Sequence, residues 1–336
     1  MNILFYCPFY FDLKSSYLKS LGGIESLNID LAKYLNRTKY KIFLATHCDK
    51  IIKQKNLTNI PINYLLSNKS NYKFESIISS NDPRVFDHFK SSKKILWLHN
   101  KLNIEKAIRK KKFFSILRNN ISAVFVSKFL MNNTSNIYNF KRKFIIPNFL
   151  TTEFDSNKIN SIRHPYFVWS VARNKGLDKI IDIWKNNIFI KDKKIKLYIF
   201  GINIENISKK KINQLTKSNI FIKGRVSKKK LINFYNKSMG MICLGYDETF
   251  CLNAIESFSC GLPIITFGYT SLNELSNNNN SFIIKRYDEL PKIIFKIVNL
   301  NNNKRLKIIN YCKNYSKKFS LKRTFSLWSK LLANET

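Results

Sequence analysis

Short apolar runs alternate with amphipathic segments along nearly the whole chain, the pattern of β-α units that build parallel sheets under helices. In the first half the runs predict strands at Asn2 to Cys7, Lys41 to Thr46, Ser76 to Ser79, Lys94 to Leu98, Ala123 to Val126 and Phe144 to Ile146. Helical periodicity falls between them, notably at Ile24 to Leu35 and Lys128 to Tyr138. A second series predicts strands at Tyr166 to Val171, Lys196 to Phe200, Ile220 to Ile222, Gly240 to Leu244, Pro263 to Thr266 and Phe282 to Ile284. Asn148 to His164 shows neither period nor continuous apolar run, and Pro147 and Pro165 punctuate its ends. The boundary is therefore expected there, with one domain over residues 1–155 and a second over 156–318. Beyond Asn299 the chain turns helical, and Phe319, Phe325, Leu327, Trp328, Leu331 and Leu332 give one apolar face. Residues 319–336 are expected to pack that face back toward the N-terminal domain.

A chain of 336 residues has room for two such domains, and 44% hydrophobic with 24% charged residues is a globular composition. Lys, Asn or Ser interrupts every apolar run before it could span a bilayer. The N-terminus reads as a first strand rather than a signal peptide, so a cytoplasmic protein is expected. The six cysteines are scattered, without C-x-x-C or metal-ligand spacing, which predicts reduced, buried thiols and no metal. The net charge of +38 would attract nucleic acid, anionic lipid or phosphorylated small molecules. Heavy use of Lys with Asn, Ile, Phe and Tyr is also what an AT-rich genome imposes. A functional reading is that clusters such as Arg109 to Lys112 or Lys209 to Lys211 hold the protein peripherally at the inner face of an anionic membrane, each cation contributing about 1 kcal/mol. No nucleic-acid reading motif is found, so no specific nucleic acid is expected.

The most informative segment runs Asp247-Glu248-Thr249-Phe250-Cys251-Leu252-Asn253-Ala254-Ile255-Glu256 and on to Gly261-Leu262-Pro263. It follows a strand, so its first residues form a loop at the carboxyl edge of a parallel sheet, where ligands bind in open α/β folds. A helix starting near Cys251 would aim free N–H groups and its positive dipole end at a diphosphate. Glu248 precedes that helix and Glu256 lies inside it, so the two carboxylates address different parts of one extended ligand, such as the hydroxyls of a sugar and of a ribose.

This segment resembles the E-x7-E signature of glycosyltransferase family 4, retaining enzymes of the GT-B fold, down to the following Gly-x-Pro. The resemblance implies an α/β GT-B architecture: two Rossmann-like domains with parallel sheets facing across a cleft. It also implies that Glu248 contacts the transferred sugar, that Glu256 binds the ribose, and that backbone amides near Phe250, Cys251 and Leu252 meet the phosphates. Arg173 and Lys175, at a strand end running into Gly176, resemble the family's Arg and Lys-Gly element that neutralises the leaving diphosphate. Gly22 and Gly23, opening a helix after the first strand, resemble its first loop. His99, ending Trp97-Leu98-His99-Asn100, resembles the histidine beside the reacting sugar. Pro147-Asn148 resembles a landmark before the domain crossing.

The chemistry so implied is transfer of a hexosyl or other glycosyl group from a nucleotide diphosphate sugar, with retention, to a glycan or lipid-linked acceptor in cell-surface polysaccharide or lipopolysaccharide synthesis. The sequence has no D-x-D pair and no G-x-G-x-x-G fingerprint, which predicts a metal-independent reaction without cofactor and argues against a nicotinamide or flavin enzyme. Alternatives are a basic nucleic-acid-binding protein, a non-catalytic nucleotide-sugar-binding protein and a GT-B sugar-nucleotide epimerase.

Overall fold

A computed structural model describes residues 1–14, 21–38, 40–159, 162–170 and 176–334. The chain forms two compact units, Met1–Thr151 with Leu321–Thr336, and Thr152–Ser320. Both are α/β.

In the first unit the strands are β1 (Asn2–Tyr6), β2 (Lys41–Thr46), β3 (Ile52–Gln54), β4 (Leu57–Pro61), β5 (Ser76–Ser80), β6 (Lys93–Leu98), β7 (Ser122–Phe125) and β8 (Arg142–Ile145). They form one sheet in the order β3-β4-β2-β1-β5-β6-β7-β8. Every pairing is parallel except β3 with β4. The central strands read as near-continuous apolar runs because both faces are covered, and Ile3, Leu4, Phe5, Ile95, Leu96 and Trp97 are fully buried.

The second unit carries β9 (Tyr166–Trp169), β10 (Lys196–Phe200), β11 (Ile220–Gly224), β12 (Gly240–Ile242), β13 (Ile264–Thr266) and β14 (Ser281–Ile283). Their order is β11-β10-β9-β12-β13-β14, parallel throughout. The order reverses direction between β9 and β12. Loops leaving the carboxyl ends of these two strands therefore diverge to opposite faces and open a crevice, the ligand-binding place of doubly wound sheets.

Helix Leu321–Asn334 belongs to the first unit. Trp328 is fully buried with its ring edge-on to Trp97, centroids 5.0 Å apart, and Phe325 meets Tyr34 at 4.5 Å. Lys93 Nζ donates to the Leu332 carbonyl, capping the helix's C-terminal end with a cation. Leu327 departs from the expected apolar face: it is 40% exposed, because it sits one residue round the helix from Trp328 and faces outward.

The helix expected over Lys128 to Tyr138 is shorter, Lys128–Asn132, with a separate turn at Asn136–Tyr138. Asn133 donates to the Phe129 carbonyl with both its backbone N–H and Nδ2, and Thr134 gives its N–H to the Met131 carbonyl and its Oγ1 to that of Leu130, so side chains join the backbone in closing the helix end.

Candidate active site in the second unit

Strand β12 ends at Ile242, short of the expected Leu244, and a loop carries the chain to helix Leu252–Ser259. Cys251 precedes that helix with φ +63°, in the left-handed region, and no side chain caps the first turn. Free backbone donors and the positive dipole end thus sit at the carboxyl edge of β12, beside the β9/β12 switch. Phe250 lies under the loop against Phe319, and Cys251 Sγ lies 3.2 Å from Cys243 Sγ. The contact with Cys243 and burial push the Cys251 thiol well up, so it is a packed, protonated group and not a nucleophile. All six cysteines are buried and unbridged.

Glu248 is 8% exposed, and the loop that presents it is held from β13's side: its carbonyl accepts from Ser271 N–H at 3.2 Å and Ser271 Oγ at 2.9 Å. Glu256 lies one helical face further in, 5% exposed, with no hydrogen bond to its carboxyl among the described residues. Burial pushes that carboxyl up to about 8; Lys228 pulls it down in part and Glu153 opposes Lys228. Lys228 is already engaged by Glu153 at 3.4 Å, which explains why so basic a chain leaves this acid uncompensated. A buried carboxyl without partners is costly unless a ligand's hydroxyls complete it.

The end of β9 is tied to the same helix. Asn253 Nδ2 donates to the Ser170 carbonyl, and the Ser170 and Tyr235 hydroxyls share a hydrogen bond of 2.6 Å. Arg173 and Lys175 follow Ser170 but lie outside the described residues. Gly176 resumes the chain at φ +100°, and a side chain there would strike the Tyr287 hydroxyl, so glycine is required before helix Leu177–Ile183. Tyr235→Phe should remove one anchor of this edge and cost about 1 kcal/mol, readable by urea unfolding; an unchanged midpoint would mean the hydroxyl pair contributes nothing.

Behind the site, Arg163 donates to the carbonyls of Tyr235 and Cys260, both at 2.7 Å, and to that of Ser238 at 3.3 Å. It thereby gathers the C-terminal ends of helices Lys228–Lys237 and Leu252–Ser259 around one guanidinium. Burial lowers it to about 10, which leaves it charged at neutral pH. Arg163, Tyr235 and Asn253 were not singled out in the sequence. Only Asn253 carried a local signal, its place between the two glutamates.

The remaining candidates belong to the first unit. Gly22 caps helix Gly23–Leu35 at φ −68°, a conformation open to any residue, but a side chain on it would overlap the Glu25 carboxylate. Gly23 is exposed at the helix start. His99 follows β6, its N–H donating to Asn81 Oδ1 at 2.8 Å, and its ring tilts on Trp97 at 4.5 Å. It is 5% exposed, and burial lowers it to about 3, so the imidazole is neutral at physiological pH. His47, at the end of β2, is exposed.

Residues 153–315 match the family model described as glycosyl transferases group 1, a span that falls within the second unit and includes Glu248 and Glu256. Among curated proteins none matches this sequence significantly. Solved structures of the same fold include sucrose-phosphate synthase from Thermosynechococcus elongatus, 12% identical over 98% of both chains with a TM-score of 0.73. WaaG, a glycosyltransferase involved in lipopolysaccharide biosynthesis, is 12% identical over 99% of this chain and 100% of its own, TM-score 0.72. Anabaena HepE, in complex with UDP and glucose, is 14% identical over 99% of both, TM-score 0.73. The α/β fold with two parallel-sheet domains is thus that of the GT-B glycosyltransferases.

Proposed function

We propose that the protein is a retaining, metal-independent glycosyltransferase that moves a sugar from a nucleotide diphosphate sugar to a glycan or lipid-linked acceptor. The observation that carries this reading is the placement of Glu248 and Glu256 on either side of an uncapped helix N-terminus at the β9/β12 switch, inside the matched segment.

The helix amides of Cys251, Leu252 and their neighbours receive the diphosphate, Glu256 takes the ribose hydroxyls that its burial leaves it lacking, and Glu248 takes hydroxyls of the transferred sugar. In the reaction the bond from the anomeric carbon to the phosphate oxygen breaks, and the acceptor oxygen bonds that carbon from the same face. The acceptor proton passes to the departing phosphate oxygen, so no side-chain nucleophile is needed. Arg173 and Lys175 follow Ser170 in sequence and supply the positive charge that stabilises the leaving diphosphate. Neutral His99 offers a hydrogen bond to the sugar without adding charge.

HepE was solved with UDP and glucose, and WaaG acts in lipopolysaccharide biosynthesis; by that likeness a UDP-sugar and a cell-surface polysaccharide or lipopolysaccharide acceptor in the cytoplasm are the first substrates to try. The test is a panel of UDP-, GDP- and ADP-sugars read by nucleotide release and thermal shift. One nucleotide family should stabilise the protein and be turned over. Glu248→Ala should keep most of the nucleotide-dependent shift and lose about 10²- to 10³-fold in turnover, the scale of removing one transition-state contact. Stabilisation by none of the donors, or full turnover by Glu248→Ala, would remove the assignment.

A further inference from the structure

Two loops of the second unit set Glu248, and the same two loops carry a group of aromatic rings with no part in the proposed reaction. The loop after β12 holds Tyr246, two residues before Glu248. The loop after β13 holds Phe267 and Tyr269, the latter two residues before Ser271, whose N–H and hydroxyl fasten the Glu248 carbonyl. Phe267 is buried, while Tyr246 is 57% and Tyr269 50% exposed. The three rings run nearly parallel: Tyr246 meets Phe267 at 5.0 Å and 22°, Phe267 meets Tyr269 at 6.0 Å and 20°, and the two tyrosines lie 6.5 Å apart at 27°. Tyr287 braces them edge-on, 4.9 Å from Phe267 and 6.4 Å from Tyr246. Gly268 at φ +68° and Thr270 at φ +61° bend the chain on either side of Tyr269, and the second is an uncommon conformation for a β-branched residue.

A single exposed tyrosine is ordinary on a protein surface. Two held parallel against a buried third ring, by a backbone that accepts strain to place one of them, make a flat, preorganised face. The direction of the donor decides what lies over it. Glu256, assigned to the ribose, looks toward helix Lys228–Lys237, where Lys228 and the Tyr235 hydroxyl feel its charge. The nucleoside end therefore lies on the β9 side of β12, and the tyrosines lie on the β13 side, past Glu248 and the transferred sugar. The molecule to be met there is the acceptor. A pyranose suits the surface: one face of its ring carries C–H bonds whose hydrogens are drawn to the negative face of an aromatic ring, and its equatorial hydroxyls stay in water.

We propose that Tyr246 and Tyr269 form an acceptor subsite that stacks a sugar ring, so that the acceptor is a glycan with a pyranose lying on this platform. The inference rests on the reading of Glu248 and Glu256 for its orientation, while the stacking itself is measured with no donor present.

The experiment is saturation-transfer NMR on the full chain with cellotetraose and with maltotetraose. At least one should bind, with the strongest saturation on the C–H protons of one ring face. Tyr246→Ala/Tyr269→Ala alters only exposed side chains and should weaken that binding by about ten-fold, with the melting temperature and the nucleotide-dependent thermal shift unchanged. Tyr246→Phe/Tyr269→Phe keeps both rings and should bind within about three-fold of the parent. Binding of neither sugar overturns the proposal, as does binding indifferent to the alanine pair. Octyl β-glucoside saturated along its alkyl chain rather than its ring, and lost in the alanine pair, would overturn it in favour of a site for an apolar chain. Loss of the nucleotide-dependent shift in the alanine pair would also overturn it, since the platform would then hold the base. If no nucleotide sugar stabilises the parent while the stacking persists, the transferase reading fails and the sugar-stacking site stands.

Discussion

Glu256→Gln is expected to stabilise the ligand-free protein, and far more at pH 8.5 than at pH 5.5. Burial raises this carboxyl from 4.5 to about 8 in the folded protein. The folded state therefore holds a proton that the unfolded state releases. Its contribution is favourable and complete below about 4.5, and is lost as pH rises through about 8. The penalty grows from roughly 1 kcal/mol at pH 5.5 to on the order of 4 kcal/mol at pH 8.5, and glutamine, of the same shape but without titration, escapes it. Thermal melts across that range provide the check; a difference between variant and parent that does not widen with pH would show that Glu256 is not the buried acid described here. If ribose hydroxyls complete its shell, donor binding must also ionise it. At pH 7 nucleotide binding should then release protons, seen as a buffer-dependent enthalpy in calorimetry, and Glu256→Gln should lose both the release and most of the nucleotide-dependent shift.

Trp328→Ala is expected to destabilise the first unit by about 3–5 kcal/mol, the cost of deleting a fully buried large aromatic side chain. The indole fills the space beside Trp97, whose ring in turn supports His99, so the cavity opens next to a strand at the centre of the sheet. With two compact units, the loss should be local. Hydrogen exchange should quicken across β1, β5 and β6 while β9 to β13 keep their protection. Uniform loss over both sheets would mean that the units do not unfold separately.

Every strand read from the sequence is present, and the central ones were plainest, because a strand buried on both faces must be apolar throughout and bounded by breakers. The two strands that were missed, β3 and β4, fail those conditions. β3 is three residues long with two exposed, and its turn to β4 is made by Lys55-Asn56, with Lys55 at φ +52° and no glycine to announce it. The carboxylates were legible for the opposite reason: an acidic pair within Phe, Cys, Leu, Ala and Ile stands out in a lysine-rich chain. Arg163 was invisible, one cation among 59, since what distinguishes it is three carbonyls contributed by distant helix ends. Leu327 was assigned to the wrong side because helical spacing alone cannot place the edge of an apolar stripe to within one residue. Arg173 and Lys175 fall outside the described residues, so their part rests on their sequence position after β9.

The returning helix bears on how the polypeptide matures on the ribosome. Lys93 and the Leu332 carbonyl that it grips are 239 positions apart, and Trp97 waits nearly as long for Trp328. The first sheet must therefore emerge with one flank uncovered and stay so while the entire second unit is synthesised. That second unit, whose strands and covering helices come from one uninterrupted stretch, is free to finish first. During that interval the indole of Trp97 lacks the edge-on ring of Trp328 that covers it in the finished fold.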